Sequence, residues 1–130
     1  MAAEHEGATD PEYPLQAIRG LQTKEALARF AGDTNRYQHW LVEFITHGPA
    51  ATAQIRDAIA HGTRETAISL VHSLKGRVGM LGMAELHSIA TSLENSLRHH
   101  EPTVIWLEEL ERTTAEMCQE ITSALALPTI

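Results

Sequence analysis

The sequence predicts an all-α protein, an antiparallel up-down four-helix bundle with an additional short helix or helices at its N-terminus. Apolar residues recur at the three- and four-residue spacing of amphipathic helices along most of the chain. No alternating run of Val, Ile, Thr or aromatic residues, which would indicate a strand, occurs between turn residues. Short connections between long amphipathic segments favour antiparallel neighbours, and hence a bundle.

Length and composition narrow the class of protein. A chain of 130 residues fits one domain, and aromatic residues make up only 5% of it, so the core must be mostly aliphatic and alanine. The formal net charge of -7 disfavours a general nucleic-acid binder, whose binding surface would be basic. Cys118 is the only cysteine, which excludes an intrachain disulfide and is consistent with a reducing compartment.

Membrane segments and signal peptides are not indicated. No apolar run approaches the roughly 18 to 20 residues that span a bilayer. The N-terminal stretch "MAAEHEGATDPEYP" lacks the apolar centre of a signal peptide. We therefore expect a cytoplasmic monomer that makes no contact with membrane or nucleic acid.

The N-terminal part of the chain predicts a tail and two short helices. Residues 1–13 are small, polar and acidic, and we interpret them as a flexible tail or linker ahead of a bundle domain at 14–127. "LQAIRG" predicts a short helix that ends at Gly20. "TKEALARFAG" predicts a second, with Thr23 as N-cap and Gly32 as its end.

Two helices are predicted between Asp33 and Gly62, ahead of the helix that contains residues 71–82. Asp33 is the expected N-cap of "DTNRYQHWLVEFI", and the His-Gly-Pro run at 47–49 is expected to end that helix. "PAATAQIRDAIAHG" then predicts a separate helix up to Gly62. Thr63 can cap the helix that contains "RETAISLVHSLKGRVGML".

The last two helices show the clearest apolar faces. "MAELHSIATSLENSLRHH" forms one, and "PTVIWLEELERTTAEMCQEITSALAL", with Pro102 near its first turn, forms the other. The inward residues step by threes and fours, as in the seam of a bundle. They are Leu86, Ala90, Leu93 and Leu97, and then Leu107, Leu110, Thr114, Met117, Ile121 and Ala124.

The stretch "VHSLKGRVGMLG", at 71–82, places glycines in a helix, where each costs about 1 kcal/mol relative to alanine. Helical residues advance about 100° each, which puts His72 about 150° from the centre of the apolar arc. Lys75, Gly76 and Gly79 lie on the same side as His72, together with an isoleucine that does not fit the apolar arc, Ile68.

An exposed histidine is ordinarily a solvated surface residue, but that interpretation leaves this glycine-rich face unexplained. Small residues allow another macromolecule to approach closely, so we interpret Ile68, Gly76 and Gly79 as a docking face around His72. Near neutral pH an ordinary imidazole is mostly uncharged and keeps one nucleophilic nitrogen, which can accept a phosphoryl group. Lys75, one turn further on, can neutralise phosphate charge.

These residues carry a family resemblance. "HSLKG" followed by "GMLG" resembles the signature of histidine-containing phosphotransfer (HPt) domains, the intermediate carriers of bacterial multistep phosphorelays. The family pattern His-x-x-Lys-Gly is matched by His72, Lys75 and Gly76. "LARFAGDTNRYQHWLVEFI" and "MAELHSIATSLENSLR" also resemble family segments, so that the likeness covers about residues 14–125.

The resemblance implies a phosphocarrier and not an enzyme with its own ATP-binding or catalytic site. His72 would accept a phosphoryl group from the aspartate of one receiver domain and pass it to the aspartate of another response regulator. The receiver would supply the acidic pocket and Mg²⁺, and this domain would bind no cofactor or metal itself. We favour the C-terminal module of a hybrid sensor histidine kinase, tethered to the inner membrane through that parent chain, over a free-standing protein.

Three alternatives remain open. A histidine-kinase dimerisation domain usually has an acidic residue after its histidine, whereas Ser73 follows His72, and the chain contains no glycine-rich nucleotide loop. A metal-binding bundle is suggested by the eight histidines, but Glu-x-x-His does not occur. A helical adaptor that has lost phosphotransfer is disfavoured by the intact His72 and Lys75.

Overall fold

The computed structural model describes residues 13–126. It contains six helices in this range: α1 Tyr13–Gln16, α2 Thr23–Arg29, α3 Thr34–Ala60, α4 Arg64–Met80, α5 Ala84–Arg98 and α6 Val104–Ala124. Over the same range the backbone forms no strand, only an isolated bridge between Leu21 and Met83. The all-α prediction is confirmed. The tail predicted for residues 1–13 lies outside the described residues, except for Tyr13, where α1 begins.

The four long helices α3–α6 form the predicted antiparallel up-down bundle. Each packs against the next along the chain, and α6 packs back against α3 to close the ring. The connections are short, as antiparallel neighbours require. Aliphatic side chains fill the interior, as the low aromatic content predicts. Those with no more than 1% exposure include Leu41, Ile55, Val71, Leu74, Leu86, Leu93, Leu110 and Ile121.

The short helices α1 and α2 cover the end of the bundle where α4 turns into α5. The Gln22 N–H donates to the Gly82 carbonyl at 2.7 Å. The Arg29 guanidinium donates to the carbonyls of Gly79 and Met80, at 3.2 and 3.3 Å. The N-terminal segment therefore donates to carbonyls of the last turn of α4 and of the turn that follows it, in addition to the Gly82 N–H, which donates to the Gly79 carbonyl at 3.2 Å.

Gly82 occupies a position in this turn that no other residue can take without strain. Its φ is +82°, in the left-handed region, and a Cβ built on it would lie 2.6 Å from the Gln22 carbonyl oxygen. The last glycine of "VHSLKGRVGMLG" is therefore required by the close approach of two backbone segments.

The helix break predicted at 47–49 is wrong, because α3 runs unbroken from Thr34 to Ala60 with Pro49 inside it. Proline removes one backbone donor and typically costs about 3 kcal/mol in a helix interior. Burial on both sides of Pro49 outweighs that cost, since one face of the helix is anchored in the core along its whole length. Its buried residues are Tyr37, Leu41, Phe44, Gly48, Thr52, Ile55 and Ala58.

Gly48 has a packing role and does not end the helix. A Cβ at this position would lie 3.3 Å from the Phe44 ring and 3.4 Å from Cγ2 of Thr114 on α6. Gly48 is buried, so the absence of a side chain lets α3 and α6 approach closely. Here the glycine serves the packing of one long helix against its neighbour.

The predicted helix starts are confirmed in part. The Asp33 carboxylate accepts from the Arg36 N–H at 3.0 Å and caps α3 as expected. Thr63 precedes α4, but its hydroxyl donates back to the Ala58 carbonyl and makes no cap to α4. Thr23 is the first residue of α2 and not its N-cap.

Candidate functional site

His72 lies in the middle of α4 and points away from the core, as the helical wheel predicts. Its side chain is 65% exposed. The opposite face of α4 is anchored in the bundle by Ala67, Val71, Leu74 and Val78. The fold therefore presents the imidazole on a rigid helix that cannot rotate without exposing those residues.

A buried carboxylate on α5 lies beside this histidine. Oε2 of Glu94 is 3.2 Å from Nδ1 of His72, and Oε1 is 2.8 Å from Nζ of Lys75. Arg98 donates to the same Oε2 from Nε at 3.1 Å and from a terminal nitrogen, Nη2, at 2.8 Å. We call these four residues the Glu94 cluster. The Glu94 side chain is only 6% exposed, so it lies almost wholly beneath its three partners.

Helix periodicity on both elements explains why the cluster forms. His72 and Lys75 are three residues apart on α4, and Glu94 and Arg98 are four apart on α5, so each pair shares one helix face. Glu94 follows Leu93, which is buried in the seam of α5, and so it lies at the edge of that seam where α5 packs against α4. Antiparallel packing then brings together residues 22 positions apart.

The contacts around Glu94 fix its charge. Burial alone would raise the pKa of this carboxyl, but the close contacts with Lys75, Arg98 and His72 together outweigh burial and hold the pKa at about 2. Glu94 is therefore a carboxylate at neutral pH.

The ionised carboxylate also fixes which imidazole nitrogen is available. A carboxylate can only accept hydrogen bonds, so Nδ1 of His72 must carry the hydrogen that points at Glu94. In a neutral imidazole the other nitrogen, Nε2, then keeps its lone pair. The exposed side of His72 is thus a nucleophile with a defined orientation.

The two cations of the cluster have different surroundings. Lys75 is 24% exposed and lies against the carboxylate as an ion pair, whereas Arg98 is 52% exposed at the rim. With His72 neutral, two positive charges face one negative charge. The cluster therefore carries a net positive charge on a protein whose formal net charge is -7.

The three residues predicted to form the docking face differ in their surroundings. A Cβ on Gly76 would meet no atom within 4 Å, so the helix surface one turn after His72 is open. A Cβ on Gly79 would lie 3.0 Å from the His87 ring, so that position is partly covered by α5. Ile68 is half-buried and packs against the core, which the helical wheel did not indicate.

Sequence reasoning missed two members of the Glu94 cluster, Glu94 and Arg98. One local signal exists, since Glu94 and Arg98 have the i,i+4 spacing of a helical ion pair and Glu94 adjoins the apolar seam. Their relation to His72 depends on how α5 docks on α4, which no local pattern contains.

The described part of the chain offers neither a metal site nor a membrane-spanning helix. Among residues 13–126, no three His, Cys, Asp or Glu side chains are grouped so that they could hold a metal ion. None of the helices described here is long and apolar enough to cross a membrane.

A helical bundle that exposes the lone pair of an oriented histidine beside two cations defines a protein able to carry an electrophilic group on that nitrogen. Comparison with family models identifies the class: the model of the Hpt domain matches residues 39–126, more than half of the chain. The chain belongs to the Hpt domain family, which supports a phosphotransfer role in two-component signalling and an interaction with response-regulator receiver domains. Neither the comparison with curated proteins nor that with solved structures gave a match.

Proposed function

We propose that this domain is a phosphorelay intermediate in which His72 accepts a phosphoryl group from a receiver aspartate and passes it to the aspartate of another receiver. The observation that best supports the proposal is the contact between the buried Glu94 carboxylate and Nδ1 of His72. This contact leaves Nε2 exposed with its lone pair.

In the transfer step, the imidazole is the only group of this domain that forms or breaks a bond to phosphorus. The Nε2 lone pair forms a bond to phosphorus while the phosphorus–oxygen bond of the receiver's aspartyl phosphate breaks. The electron pair of that bond returns to the aspartate carboxylate. The proton on Nδ1 stays where it is, and the Glu94 carboxylate balances the positive charge that the ring acquires. Onward transfer reverses these steps on a second receiver.

The sequence predicts that Lys75 stabilises the phosphoryl group, and we propose that it also keeps Glu94 ionised. Its ammonium lies 2.8 Å from Glu94 and helps to keep that carboxylate ionised. From the same place it adds positive charge beneath the site of phosphorylation. A hydrogen bond between charged groups, such as the one between Lys75 and Glu94, typically contributes about 1.5–3 kcal/mol to stability.

The receiver is proposed to dock over His72, with its acidic pocket and Mg²⁺ facing the imidazole. The open surface at Gly76 supports a close approach at that point. Ile68 and Gly79 flank the same face. The accessible part of the Ile68 side chain and the helix surface at Gly79 would contact the rim of the partner. We further propose that the parent chain is a hybrid sensor kinase with this domain at its C-terminal end.

To test this, the domain is incubated with a phosphorylated receiver, and the phosphoryl label transferred to the domain is measured. We expect an adduct that is labile to acid and stable to alkali, and its loss in His72→Gln. His47→Gln is the matched control, because His47 is 62% exposed and also contacts a glutamate, Glu43, at 3.3 Å. It should label like the parent protein.

Persistence of the acid-labile label in His72→Gln would refute the proposal. So would failure of the parent domain to exchange label with any receiver from the source genome. Far-UV circular dichroism of each variant checks that the bundle is intact.

A further inference from the structure

We propose that a cleft at one end of the bundle binds a small phosphate anion, at a site separate from His72. The cleft lies where α3 turns into α4 and α5 turns into α6, at the end opposite the one that α1 and α2 cover. Its volume is about 190 Å³, and it shares no residue with the Glu94 cluster. Binding there requires no phosphoryl transfer by His72.

Ser96 on α5 is the buried polar residue that points to a ligand in this cleft. It lines the cleft and is only 5% exposed, yet its hydroxyl forms no hydrogen bond to any residue from 13 to 126. The hydroxyls of Thr113 and Thr114 also lack a partner, but those oxygen atoms are sealed from solvent. A buried polar group without a partner is destabilising, so the Ser96 hydroxyl is available to an anion that enters the cleft.

Two long helices begin beside the cleft without a side-chain cap. Thr63 precedes α4 and Thr103 precedes α6, and neither side chain accepts a hydrogen bond from the first turn that follows it. Each helix therefore keeps backbone N–H donors and the positive end of its dipole at this end of the bundle. Helix ends of this kind attract anions, phosphate among them.

Two side-chain donors line the same cleft. Arg64, the first residue of α4, is exposed and forms no ion pair with a carboxylate in the described part of the chain. Its planar guanidinium suits two oxygens of one phosphate. His100 follows α5 with a φ of +59°, and its ring can donate an N–H. A hydroxyl, a guanidinium and an imidazole are thus grouped around one opening.

Glu101 gives the cleft a preference among anions. Its side chain lines the cleft and is in no ion pair within residues 13–126. A carboxylate repels an anion without a proton, such as sulfate. Inorganic phosphate keeps at least one hydroxyl group at neutral pH, and this hydroxyl can donate to the carboxylate, which only accepts. We therefore expect the cleft to favour phosphate over sulfate.

The test titrates the ¹⁵N-labelled parent protein with inorganic phosphate, sulfate or methyl phosphate at neutral pH and constant ionic strength. Amide shifts are followed residue by residue, because the positive Glu94 cluster can also attract anions. We expect phosphate to shift the amides of residues 64–66, 96 and 103 with one dissociation constant, and sulfate to bind there about tenfold more weakly. Methyl phosphate distinguishes two sources of the ligand: equal affinity indicates the phosphate group of a monoester, and weaker binding indicates the free ion.

Three variants assign the contacts. Arg64→Gln should weaken phosphate binding about tenfold and Ser96→Ala about fivefold, because each removes a donor. Without phosphate, the melting temperature of Ser96→Ala should be unchanged or higher, since the hydroxyl has no partner to lose. Glu101→Gln should bring the affinities for phosphate and sulfate together. The matched control is Arg77→Gln, which removes an equal charge from α4 outside the cleft and should bind like the parent.

Equal phosphate affinity in the parent and Arg64→Gln would overturn the proposal, as would shifts confined to the Glu94 cluster. A lower melting temperature of Ser96→Ala with unchanged phosphate affinity would also overturn it, because the hydroxyl would then serve the fold. Equal binding of phosphate and sulfate by the parent would refute the role of Glu101. If a variant fails to fold, the titration of the parent decides, since the absence of shifts at 64–66, 96 and 103 excludes the site.

Discussion

At the scale of single residues, Gly76 and Gly79 lie one turn apart on α4 but have different neighbours. Gly76 faces open space, whereas a Cβ on Gly79 would meet the His87 ring at 3.0 Å. A glycine with no neighbour is destabilising in a helix without any packing advantage. The proposed docking of a receiver over His72 would account for a glycine at this position.

We expect Gly76→Ala to raise the free energy of unfolding by about 0.5–1 kcal/mol, the usual gain of alanine in a helix interior. Gly76→Gln should also fold, yet accept phosphate from a receiver at least tenfold more slowly, because its side chain would stand in front of His72. Melting temperature and transfer rate are measured on the same samples. Wild-type transfer by Gly76→Gln would show that this face is not a docking surface.

Gly79→Ala should gain less stability than Gly76→Ala, because the imidazole of His87 must move by a few tenths of an ångström to admit the methyl group. Replacing His87 with alanine removes that obstacle. In a His87→Ala background, Gly79→Ala should therefore recover the full gain of about 0.5–1 kcal/mol. Equal gains in both backgrounds would mean that His87 does not restrict this position.

For Ile68, the packing against the core changes the expected outcome. Ile68→Ala should cost about 1–2 kcal/mol of unfolding free energy, less than the 2–5 kcal/mol typical of a fully buried isoleucine. Urea denaturation measures this cost. Weaker receiver binding, compared at a temperature where both proteins are folded, would show that the accessible part of Ile68 also meets the partner. A loss below about 0.5 kcal/mol would place the side chain outside the core.

At this scale the sequence predicts the nucleophile better than its surroundings. The outward direction of His72 follows from helical periodicity alone, because the apolar residues of α4 define the opposite face. Glu94 could not be found in the same way, since its burial opposes what a charged residue in a helix ordinarily does. Only the pairing with Lys75 and Arg98 makes that burial tolerable, and the pairing is tertiary.

At the scale of helices, the α4–α5 pair should be sensitive to acid through Glu94. Its folded-state pKa of about 2 lies below the ordinary value of 4.5, so the ionised form stabilises the fold. The contribution is full above pH 4.5 and is lost as the pH falls from about 4.5 to 2. From the size of the shift it amounts to about 3 kcal/mol.

Glu94→Gln is the variant that isolates this contribution, because it keeps the shape of the side chain and removes its ionisable group. The stability difference between parent and variant should be constant above pH 5 and shrink toward pH 2. Urea denaturation at a series of pH values measures it. Parallel curves over that range would show that Glu94 contributes no pH dependence, with other carboxyl groups such as Glu111 responsible for any acid sensitivity.

The turn between α4 and α5 should tolerate substitution least. Gly82→Ala combines a positive φ with a methyl group 2.6 Å from the Gln22 carbonyl oxygen, and we expect a loss of more than about 2 kcal/mol. Gly76→Ala is the matched change on the same helix and should have the opposite sign. Thermal unfolding compares the two. A neutral Gly82→Ala would mean that α2 can move away from this turn.

Helix α3 shows the limit of local signals at this scale. Glycine followed by proline ordinarily ends a helix, and the sequence contains nothing nearby that contradicts this. The reason that α3 continues lies on another element: Gly48 faces Thr114 of α6, and apolar residues on both sides of Pro49 are buried. Tertiary burial therefore overrides a local helix-breaking pattern.

At the scale of the whole molecule, the N-terminal helices are part of the same core as the bundle. Leu15 is fully buried and Leu21 is 6% exposed. We expect Leu15→Ala to cost about 2–4 kcal/mol and to lower the melting temperature of the whole domain in one transition. Circular dichroism at 222 nm measures this, with the half-buried Leu27 as the site of a milder control, Leu27→Ala. A separate transition at low temperature would instead indicate that the N-terminal helices unfold independently.

The global architecture was predictable because it depends on few features. Long amphipathic segments with short connections have few arrangements other than an up-down bundle. The absence of strand patterns in the sequence excludes the α/β and α+β fold classes. How α1 and α2 close the end of the bundle was not predictable. That closure depends on backbone contacts such as Gln22 with Gly82, which leave no mark in hydrophobic periodicity.

The burial of Glu94 between two helices has a consequence for protein engineering. Transplanting "HSLKG" onto a helix of another scaffold would copy the recognisable letters and leave the imidazole free to adopt either tautomer. A working transplant would also need a second antiparallel helix in the register that sets an acidic side chain under Nδ1. The smallest portable unit is therefore the α4–α5 hairpin, with the packing that keeps its carboxylate out of water.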